Sequence, residues 1–311
     1  MRRPRSARAA AVRILPDMPV EPATPEQTGP VRRAAVLGSP VAHSLSPVLH
    51  RAAYAALGLT GWEYGLHECD EAGLPAFVEG LDATWAGLSL TMPLKRVALD
   101  VADTVSDLAA ATGAANTLVL SAAGRVAENT DVAGIVAALR EAGVRTARDA
   151  VVLGAGGTAR AALAALRDLG DPAPRVLVRD PARAADLRTA AERLGVSPDV
   201  RADLADPRVA MGTLAGAGVV VSTLPPGAAD VLVDTVWTPG TAVLDAVYAG
   251  WPTPLARSAG VAGCAVVSGL SMLLHQAVAQ VTLMTGHAGP VEPMRAALDA
   301  AVSTPQGATR V

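Results

Sequence analysis

Lysine and asparagine are almost absent from this chain of 311 residues. Lys95 is the only lysine among 26 basic residues, and Asn116 and Asn129 are the only asparagines. A GC-rich coding bias, which also favours alanine, glycine and arginine, is our hypothesis for this depletion, and it implies that arginine has taken the ordinary surface roles. Arginine cannot replace lysine where a compact ammonium that can release its proton is required. The rarity of lysine therefore marks Lys95 as a candidate functional residue; a solvated surface lysine is the alternative.

Three further scarcities limit the classes of partner. Aromatic residues make up 3% of the chain and the formal net charge is -3, so the stacking surfaces and basic surplus that bind nucleic acid are missing. Apolar stretches are interrupted by glycine, proline or charges before about 18 residues, so no membrane-spanning helix is indicated. The cysteines, Cys69 and Cys264, lack the paired spacing of zinc sites and disulfide frameworks. We expect a cytoplasmic protein without a nucleic acid, membrane or metal partner.

The first 30 residues differ in composition from the rest of the chain. They begin basic, then turn proline-rich and acidic, and they lack the apolar segment and cleavage site of a secretory signal. We interpret residues 1–30 as a disordered tail, with folding beginning near Val31. A start codon assigned too far upstream would produce the same pattern.

An alternation of apolar runs and helical patterns between Arg33 and Leu120 indicates an α/β unit. The β-like runs are AAVLG, WEYGL, AGLSLT and NTLVL, with helical patterns between the first three. Ser46 followed by Pro47 fits a helix N-cap and first helical position, so the backbone N–H groups there would point toward an adjacent anion. Taken alone, Ser46 fits a plain N-cap equally well.

A second α/β unit begins with the run DAVVLGAGGTARAALAAL, which combines a continuous apolar strand, a tight glycine turn and an alanine-rich helix. This is the first strand–helix step of a dinucleotide-binding fold. Buried strands are predicted at RVLVR, AGVVVSTLP and TAVLDAVY, which favours a doubly wound parallel sheet. A long helix is predicted from just after Ser268 to Gly286, and its many apolar positions require that it pack against another part of the protein.

The glycine turn matches a dinucleotide-binding motif of the form G-x-G-x-x-G/A. Its residues are Gly154, Ala155, Gly156, Gly157, Thr158 and Ala159. Their small side chains allow a pyrophosphate to approach the N-terminus of the helix. At the end of the next strand, Arg179 and Arg183 suit the 2′-phosphate of NADP, whereas Asp180 would bond the ribose hydroxyls of NAD or repel a phosphate. We favour NADP with NAD as the alternative, and Arg183 also fits a solvated helix position.

Seven short sequence motifs carry the most specific information about function, and they occur in order between Val36 and Gly286. They are GSPVAHSLSP, GLSLTMPLK, GAANT, ENTDVAG, LGAGGTAR, DAVYAGWPTPL and GLSMLLHQA. Together they closely resemble the shikimate dehydrogenase family. The resemblance implies a two-domain α/β fold, with a substrate-binding and catalytic domain at residues 31–131 and 269–305. It also implies a Rossmann-type NADP domain at residues 132–268 and a C-terminal helix that packs back against the first domain.

The resemblance also implies an activity, the reversible NADPH-dependent reduction of 3-dehydroshikimate to shikimate in the biosynthesis of chorismate and the aromatic amino acids. The implied catalytic pair is Lys95 and Asp131, both placed at the reacting hydroxyl. The implied substrate-binding residues are Ser44, Ser46, Thr91, Asn116, Tyr248 and Gln276, with the two serines at the substrate carboxylate. Besides the glycine motif and the two arginines, the implied cofactor contacts are Ser222, Gly269 and Met272. Without the family, Asp131 fits a helix N-terminal residue, Asn116 a turn residue and Gln276 a half-buried core residue.

Several positions depart from the family pattern. Ser89 stands where many members have asparagine, and Val178 and Asp180 replace the asparagine and threonine of the usual Asn-Arg-Thr cofactor phrase. These changes leave the chemistry of the catalytic pair intact and bear on the cofactor preference. Quinate or an aminoshikimate is the alternative substrate, although Ser46 favours shikimate, and a non-catalytic nucleotide-binding regulator is the alternative class. The sequence is compatible with a monomer or a homodimer.

Overall fold

Two six-stranded β-sheets organise residues 31–303, the part of the chain that the computed structural model describes. The predicted tail at residues 1–30 lies outside the described residues. Helices flank both sheets, so the predicted α/β class is confirmed. Between residues 31 and 303, no helix is long and apolar enough to cross a membrane.

The first sheet has mixed strand directions. Its strands are β1 (Arg32–Gly38), β2 (Trp62–Glu68), β3 (Trp85–Leu90), β4 (Thr104–Val105), β5 (Thr117–Ser121) and β6 (Gly124–Glu128), and its helices are α1 (Ser46–Ala56), α2 (Leu74–Glu79) and α3 (Asp107–Thr112). The strand order is β2-β1-β3-β5-β6-β4, with β1 parallel to β2 and β3, and β5 antiparallel to β3 and β6. Because β5 runs against β3, Asn116 lies beside the end of β3, where its carbonyl oxygen accepts from Leu90 N–H at 2.7 Å.

The start of α1 differs from the prediction by one residue. Ser46 is the first residue of the helix and Leu45 occupies the cap position, so the expected N-cap role of Ser46 is wrong. The Oγ of Ser44 accepts the backbone N–H of Ser46 at 3.3 Å and so partners one of the helix's free donors. Pro47, in the first turn, has no N–H to be partnered.

The second sheet is entirely parallel. It follows α4 (Asp131–Glu141) and contains β7 (Val151–Leu153), β8 (Arg175–Leu177), β9 (Asp199–Arg201), β10 (Val219–Ser222), β11 (Ala242–Asp245) and β12 (Ala265–Ser268), with helices α5 (Gly157–Asp168), α6 (Ala185–Leu194), α7 (Pro207–Ala215) and α8 (Pro254–Val261). The strand order is β12-β11-β10-β7-β8-β9. When β7 to β12 are renumbered 1 to 6 and the sheet is read from β9, this is the 3-2-1-4-5-6 order of a dinucleotide-binding fold. The predicted doubly wound parallel sheet is confirmed.

Both faces of the second sheet are covered by apolar side chains. Val151, Val152 and Leu153 of β7 have no exposed surface. Val152 packs into the cluster that includes α5, whereas Val151 and Leu153 pack into the cluster on the opposite face. A strand buried on both faces reads as an unbroken apolar run, which is why the sequence pattern identified β7.

The C-terminal helices return to the first sheet. The predicted long helix is α9 (Gly269–Thr285), which is followed by α10 (Val291–Ser303). Ser268 caps α9, with its Oγ accepting from Leu270 N–H at 3.1 Å, and Gly286 ends it with a positive φ of 76°. α9 packs against α1, α4, α10, β3 and β5. At Gly134 of α4 an added Cβ would lie 3.0 Å from the Cβ of Gln276, so only glycine allows α4 and α9 to approach this closely.

Candidate active site

A cavity of about 280 Å³ lies where loops from both sheets meet α4 and α9. Each residue predicted to act in catalysis or substrate binding lines this cavity, namely Lys95, Asp131, Ser44, Ser46, Thr91, Asn116, Tyr248 and Gln276. Three residues predicted to contact the cofactor, Thr158, Gly269 and Met272, line it as well. The structure therefore brings the substrate set and part of the cofactor set to one place.

Lys95 and Asp131 form an ion pair on the cavity wall. Lys95 Nζ donates to Asp131 Oδ2 at 2.5 Å, and the two side chains are 22% and 6% exposed. Asp131 is the first residue of α4, where the helix dipole favours negative charge. Lys95 lies in the turn after β3, and its carbonyl oxygen accepts from Ala115 N–H at 2.7 Å. Both partners are thus fixed by backbone contacts, and the ammonium faces the cavity.

The only two asparagines of the chain hold the Asp131 carboxylate and backbone. Asn116 Nδ2 donates to Asp131 Oδ1 at 2.8 Å, and Asn116 Oδ1 accepts from Thr130 N–H at 2.8 Å. Asn129 Oδ1 accepts from Asp131 N–H at 3.0 Å, while its Nδ2 donates to the carbonyl oxygen of Ala114 at 2.8 Å. Asn129 was missed as a site residue, although the rarity of asparagine already singled it out.

Hydroxyl groups line the cavity at the N-terminus of α1. Ser44 and Ser46 face the cavity, and Ser46 is buried. The first turn of α1 contains no acidic residue, so nothing there offsets the partial positive charge of the helix end. Hydroxyl donors beside a helix N-terminus suit a carboxylate.

The second sheet contributes Tyr248 to the cavity through a close contact with α9. An added Cβ at Gly269 would clash with the carbonyl oxygen of Ala246, so the end of β11 and the start of α9 touch there. Tyr248 follows this contact and lines the cavity. Burial raises the pKa of Tyr248, which keeps its phenol protonated and able to donate a hydrogen bond.

A buried polar layer lies beneath the cavity and was not predicted. Its members are His50, Tyr64, Ser89 and Gln280, of which Ser89 and Gln280 also line the cavity. Burial lowers the pKa of His50 to about 3, against the opposing effect of its hydrogen bond with Gln280, so the ring is neutral. The one available signal was the spacing of Gln280 four positions after Gln276, which places both on one face of α9.

A second cavity of about 500 Å³ forms a groove over the glycine turn. Gly154, Ala155 and Gly156 line it together with Arg179, Asp180 and Arg183. Gly154 has a φ of 101°, and an added Cβ there would lie 2.8 Å from Thr223 Oγ1. An added Cβ at Gly156 would meet open space, which leaves room for a ligand against the backbone at the start of α5.

The charged side chains of this groove suit a phosphate. Arg179 and Arg183 are exposed, and neither guanidinium forms a salt bridge with another residue in the range 31–303. Asp180 Oδ1 accepts from Ala182 N–H at 2.9 Å and caps the short turn that follows. One oxygen of Asp180 is therefore committed to the backbone, while the two guanidiniums are free to bind an anion.

Three residues predicted to bind cofactor, Gly157, Ala159 and Ser222, line neither the groove nor the first cavity. Ala159 and Ser222 are fully buried. Thr223 lines the groove in place of Ser222, and its Oγ1 donates to the carbonyl oxygen of Leu153 at 2.7 Å. Neighbouring side chains in an extended segment point to opposite faces, so Thr223 faces the groove and the predicted contact at Ser222 remains a prediction.

Family models and a curated relative match the chain. The shikimate dehydrogenase substrate binding domain matches residues 36–118, and the shikimate 5'-dehydrogenase C-terminal domain matches residues 269–298. The shikimate dehydrogenase (NADP(+)) of Symbiobacterium thermophilum is 38% identical over 287 residues, which cover 88% of this chain and 96% of the relative.

Solved structures agree with the sequence matches. The shikimate dehydrogenase of Mycobacterium tuberculosis is 45% identical with a TM-score of 0.79, and the alignment covers 87% of this chain and 99% of that one. The shikimate 5-dehydrogenase of Thermus thermophilus, in complex with NADP(H) and shikimate, is 32% identical with a TM-score of 0.75, and the alignment covers 87% and 100%. The resemblance found in the sequence is confirmed, and the chain belongs to the shikimate dehydrogenase family.

Proposed function

We propose that the chain catalyses the reversible NADPH-dependent reduction of 3-dehydroshikimate to shikimate, a step toward chorismate and the aromatic amino acids. The observation that carries the proposal is the contact between Lys95 Nζ and Asp131 Oδ2 at 2.5 Å on the wall of a cavity that both sheets line. An added Cβ at Gly157 of the dinucleotide motif would lie 3.9 Å from Lys95 Cδ, so the glycine motif adjoins the pair. Family membership supports the same reaction.

Reducing a ketone requires a hydride at carbon and a proton at oxygen. When bound, NADPH supplies the hydride. We assign the proton to Lys95, whose ammonium stabilises the developing alkoxide and then protonates it. Asp131 orients the ammonium through Oδ2, and Asn116 holds the other carboxylate oxygen at 2.8 Å, so the carboxylate cannot rotate away without losing a buried hydrogen bond. In the reverse direction Lys95 accepts the hydroxyl proton.

The remaining polar groups of the cavity fit the other substituents of the substrate. We assign Ser44 and Ser46, at the N-terminus of α1, to the carboxylate. Thr91, Asn116 and Gln276 are assigned to the ring hydroxyls, because all three line the cavity near the Lys95–Asp131 pair. Hydroxyls and amides discriminate strongly between substrates because an unmatched buried polar group is costly.

Tyr248 is assigned to closing the pocket from the side of the second sheet. It lines the cavity on the opposite unit from the serines and remains a neutral hydrogen-bond donor. A closed pocket excludes water and strengthens the electrostatic contacts inside.

NADP is the proposed cofactor. The groove over the glycine turn offers backbone N–H groups for the pyrophosphate and two exposed guanidiniums, Arg179 and Arg183, for the 2′-phosphate. Asp180 was the residue that favoured NAD, and its capping contact with Ala182 N–H commits one of its two oxygens to the backbone. We retain NAD as the second cofactor to be tested.

The proposal extends to organisation. We assign residues 31–131 and 269–305 to a substrate-binding and catalytic domain and residues 132–268 to the NADP domain; the separate sheets support this division, and residues 304 and 305 lie outside the described residues. We also propose that the protein is cytoplasmic, because Cys69 and Cys264 are both unpaired. The proposed oligomeric state is a monomer or a homodimer. Size-exclusion chromatography with light scattering distinguishes the two states.

Absorbance at the nicotinamide band tests the proposed reaction. Purified protein is mixed with shikimate and NADP, and the assay is repeated with NAD and with quinate. Rapid reduction of NADP by shikimate is the expected result. Faster turnover of quinate would reassign the substrate, and faster turnover with NAD would reassign the cofactor. Absence of turnover in all combinations would favour a nucleotide-binding regulator, against which the intact Lys95–Asp131 contact argues.

A further inference from the structure

Gln280 occupies a central position in the buried layer beneath the cavity. It lies on α9, is 1% exposed, and faces the first sheet. Its amide takes part in four hydrogen bonds, two through Nε2 and two through Oε1. Burying an amide between a helix and a sheet costs free energy unless each of its polar groups is hydrogen-bonded. An apolar side chain would be enough if packing were the only requirement at this position.

The Nε2 group of Gln280 binds the backbone of Asn116, the residue whose side chain binds the Asp131 carboxylate. It donates to the carbonyl oxygen of Asn116 at 3.1 Å and to Thr117 Oγ1 at 3.0 Å. Asn116 Nδ2 in turn donates to Asp131 Oδ1 at 2.8 Å. A shift of α9 at Gln280 would therefore be transmitted through Asn116 to the carboxylate that orients Lys95.

The Oε1 group of Gln280 holds the cavity wall on β3. Ser89 Oγ donates to it at 2.8 Å, and His50 Nε2 lies 3.3 Å away on α1. Tyr64 donates its hydroxyl hydrogen to Ser89 Oγ at 2.6 Å, which directs the Ser89 hydrogen to Gln280. The partners thus fix which end of the amide faces which element, because a carbonyl oxygen accepts at one end and a hydroxyl donates at the other.

We infer that Gln280 is a positioning residue for the reaction, acting through Asn116 on the Lys95–Asp131 pair and through Ser89 on the cavity wall. The kinetic consequence rests on the proposed function, whereas the structural coupling does not. All hydrogen-bonding positions of the Gln280 amide are occupied, and a satisfied buried amide favours one arrangement of its partners. Gln280 itself lines the cavity from beneath, and its effect on the chemistry is indirect.

Selective ¹⁵N-asparagine labelling reads this coupling directly, because Asn116 and Asn129 are the only asparagines. The two side-chain amide signals are assigned from Asn116→Ala, which removes one of them. Gln280→Met keeps the length of the side chain and removes its hydrogen bonds. We expect it to shift the Asn116 amide signals and to leave those of Asn129 unchanged. The control is Val281→Ala, a buried position on the same helix that packs against α1 and α10, which lowers Tm without shifting either pair.

Kinetics provide the second readout. For Gln280→Met we expect kcat to fall about 10- to 100-fold from misplacement of the pair, with a smaller change in KM and unchanged NADP affinity. Val281→Ala should keep the wild-type kcat. If Gln280→Met does not fold, Ser89→Ala replaces it, and it should shift the same Asn116 signals by a smaller amount. Where both fold, the double variant should be no slower than Gln280→Met, because both changes break one network.

The outcomes separate the inference from the proposed function. A wild type that does not oxidise shikimate with NADP overturns the proposed function, and the asparagine spectrum then decides the positioning role alone. Unchanged Asn116 signals in Gln280→Met overturn the positioning role, even if kcat falls. Shifted Asn116 signals with wild-type kcat in an active enzyme also overturn it.

Discussion

The two halves of the molecule place their functional groups in opposite ways. In the proposed substrate-binding domain, which is the first unit, Asn116 and Asp131 are buried, and their positions are fixed by hydrogen bonds between side chains. In the second unit, the groove consists of the backbone of a glycine turn and the exposed side chains of Arg179 and Arg183. Proton transfer requires fixed geometry, whereas binding a long anionic cofactor needs backbone donors and charge. Substitutions in the first unit should therefore change the rate, and those in the second should change cofactor affinity.

Replacing the only lysine should have the largest effect. We expect Lys95→Ala to lower kcat about 10²- to 10⁴-fold, the range that general acid–base catalysis contributes, while substrate affinity changes less. Steady-state kinetics with shikimate and NADP measure both. The matched control is Arg96→Ala, whose exposed side chain pairs with Asp100 outside the cavity. A near-wild-type rate in Lys95→Ala would remove the proton donor from the account.

Asp131→Asn should reduce turnover less severely. The amide keeps the shape of the side chain and one hydrogen bond to the substrate but loses the charge that orients the ammonium, so we expect kcat to fall about 100-fold. Substrate binding measured by calorimetry should be largely retained. Complete loss of shikimate binding with folding intact would assign Asp131 to substrate affinity instead of to the chemistry.

The second unit should respond through cofactor binding. We expect Arg179→Ala and Arg183→Ala each to weaken NADP binding about 10-fold or more, since a charge-assisted hydrogen bond to a phosphate is lost, while NAD binding and kcat at saturating cofactor change little. Fluorescence titration measures both affinities. Arg208→Ala, at an exposed position outside the groove, serves as the control. Equal weakening of NADP and NAD would contradict a 2′-phosphate contact.

The smallest effect should come from the link between α4, α9 and α10, outside both sites. Glu141 accepts from His275 at 3.1 Å and from Arg295 at 2.5 Å. Burial acts to raise the pKa of Glu141, but these partners outweigh it and the pKa is lowered. A carboxylate with a lowered folded pKa stabilises the protein at neutral pH, and this contribution is lost as pH falls through that pKa.

We therefore expect Glu141→Gln to lower stability at pH 7 by less than about 1 kcal/mol, because the pair is partly exposed and screened. The difference from wild type should vanish in acid, as followed by thermal unfolding at several pH values. Glu292→Gln, which removes a more exposed partner of Arg295, is the control and should have no measurable effect. An acid-independent loss in Glu141→Gln would assign its role to packing.

The same contrast explains how much could be predicted from the sequence. The glycine turn and the apolar run of β7 are local signals, so the first step of the second sheet was predicted. Gly286 ended α9 as expected because a left-handed residue stops a helix. β9 was missed, since three partly exposed residues at the sheet edge carry no apolar pattern. β4 and β6 were missed too, because β4 has two residues and β6 has only one buried position.

The residues of the candidate site also differ in whether a local sequence signal could identify them. The rarity of lysine marked Lys95 as a candidate before any fold was known, whereas the family motifs supplied Asn116 and the other predicted positions, and Asn129 was not predicted. Gln280 could not be identified in this way, because its partners Ser89 and Asn116 lie 191 and 164 positions away in the chain. Which of Ser222 and Thr223 faces the groove depends on the register of β10, and short apolar strands do not reveal register.

The rarity of lysine allows a direct test of whether the Lys95 ammonium takes part in the reaction. Because Lys95 is the only lysine, an amine-selective acetylating reagent has one side-chain target besides the N-terminal amine, and mass spectrometry quantifies its modification. We predict that loss of shikimate oxidation follows Lys95 acetylation in proportion, and that shikimate with NADP protects both. A fully acetylated Lys95 with wild-type turnover would contradict the account.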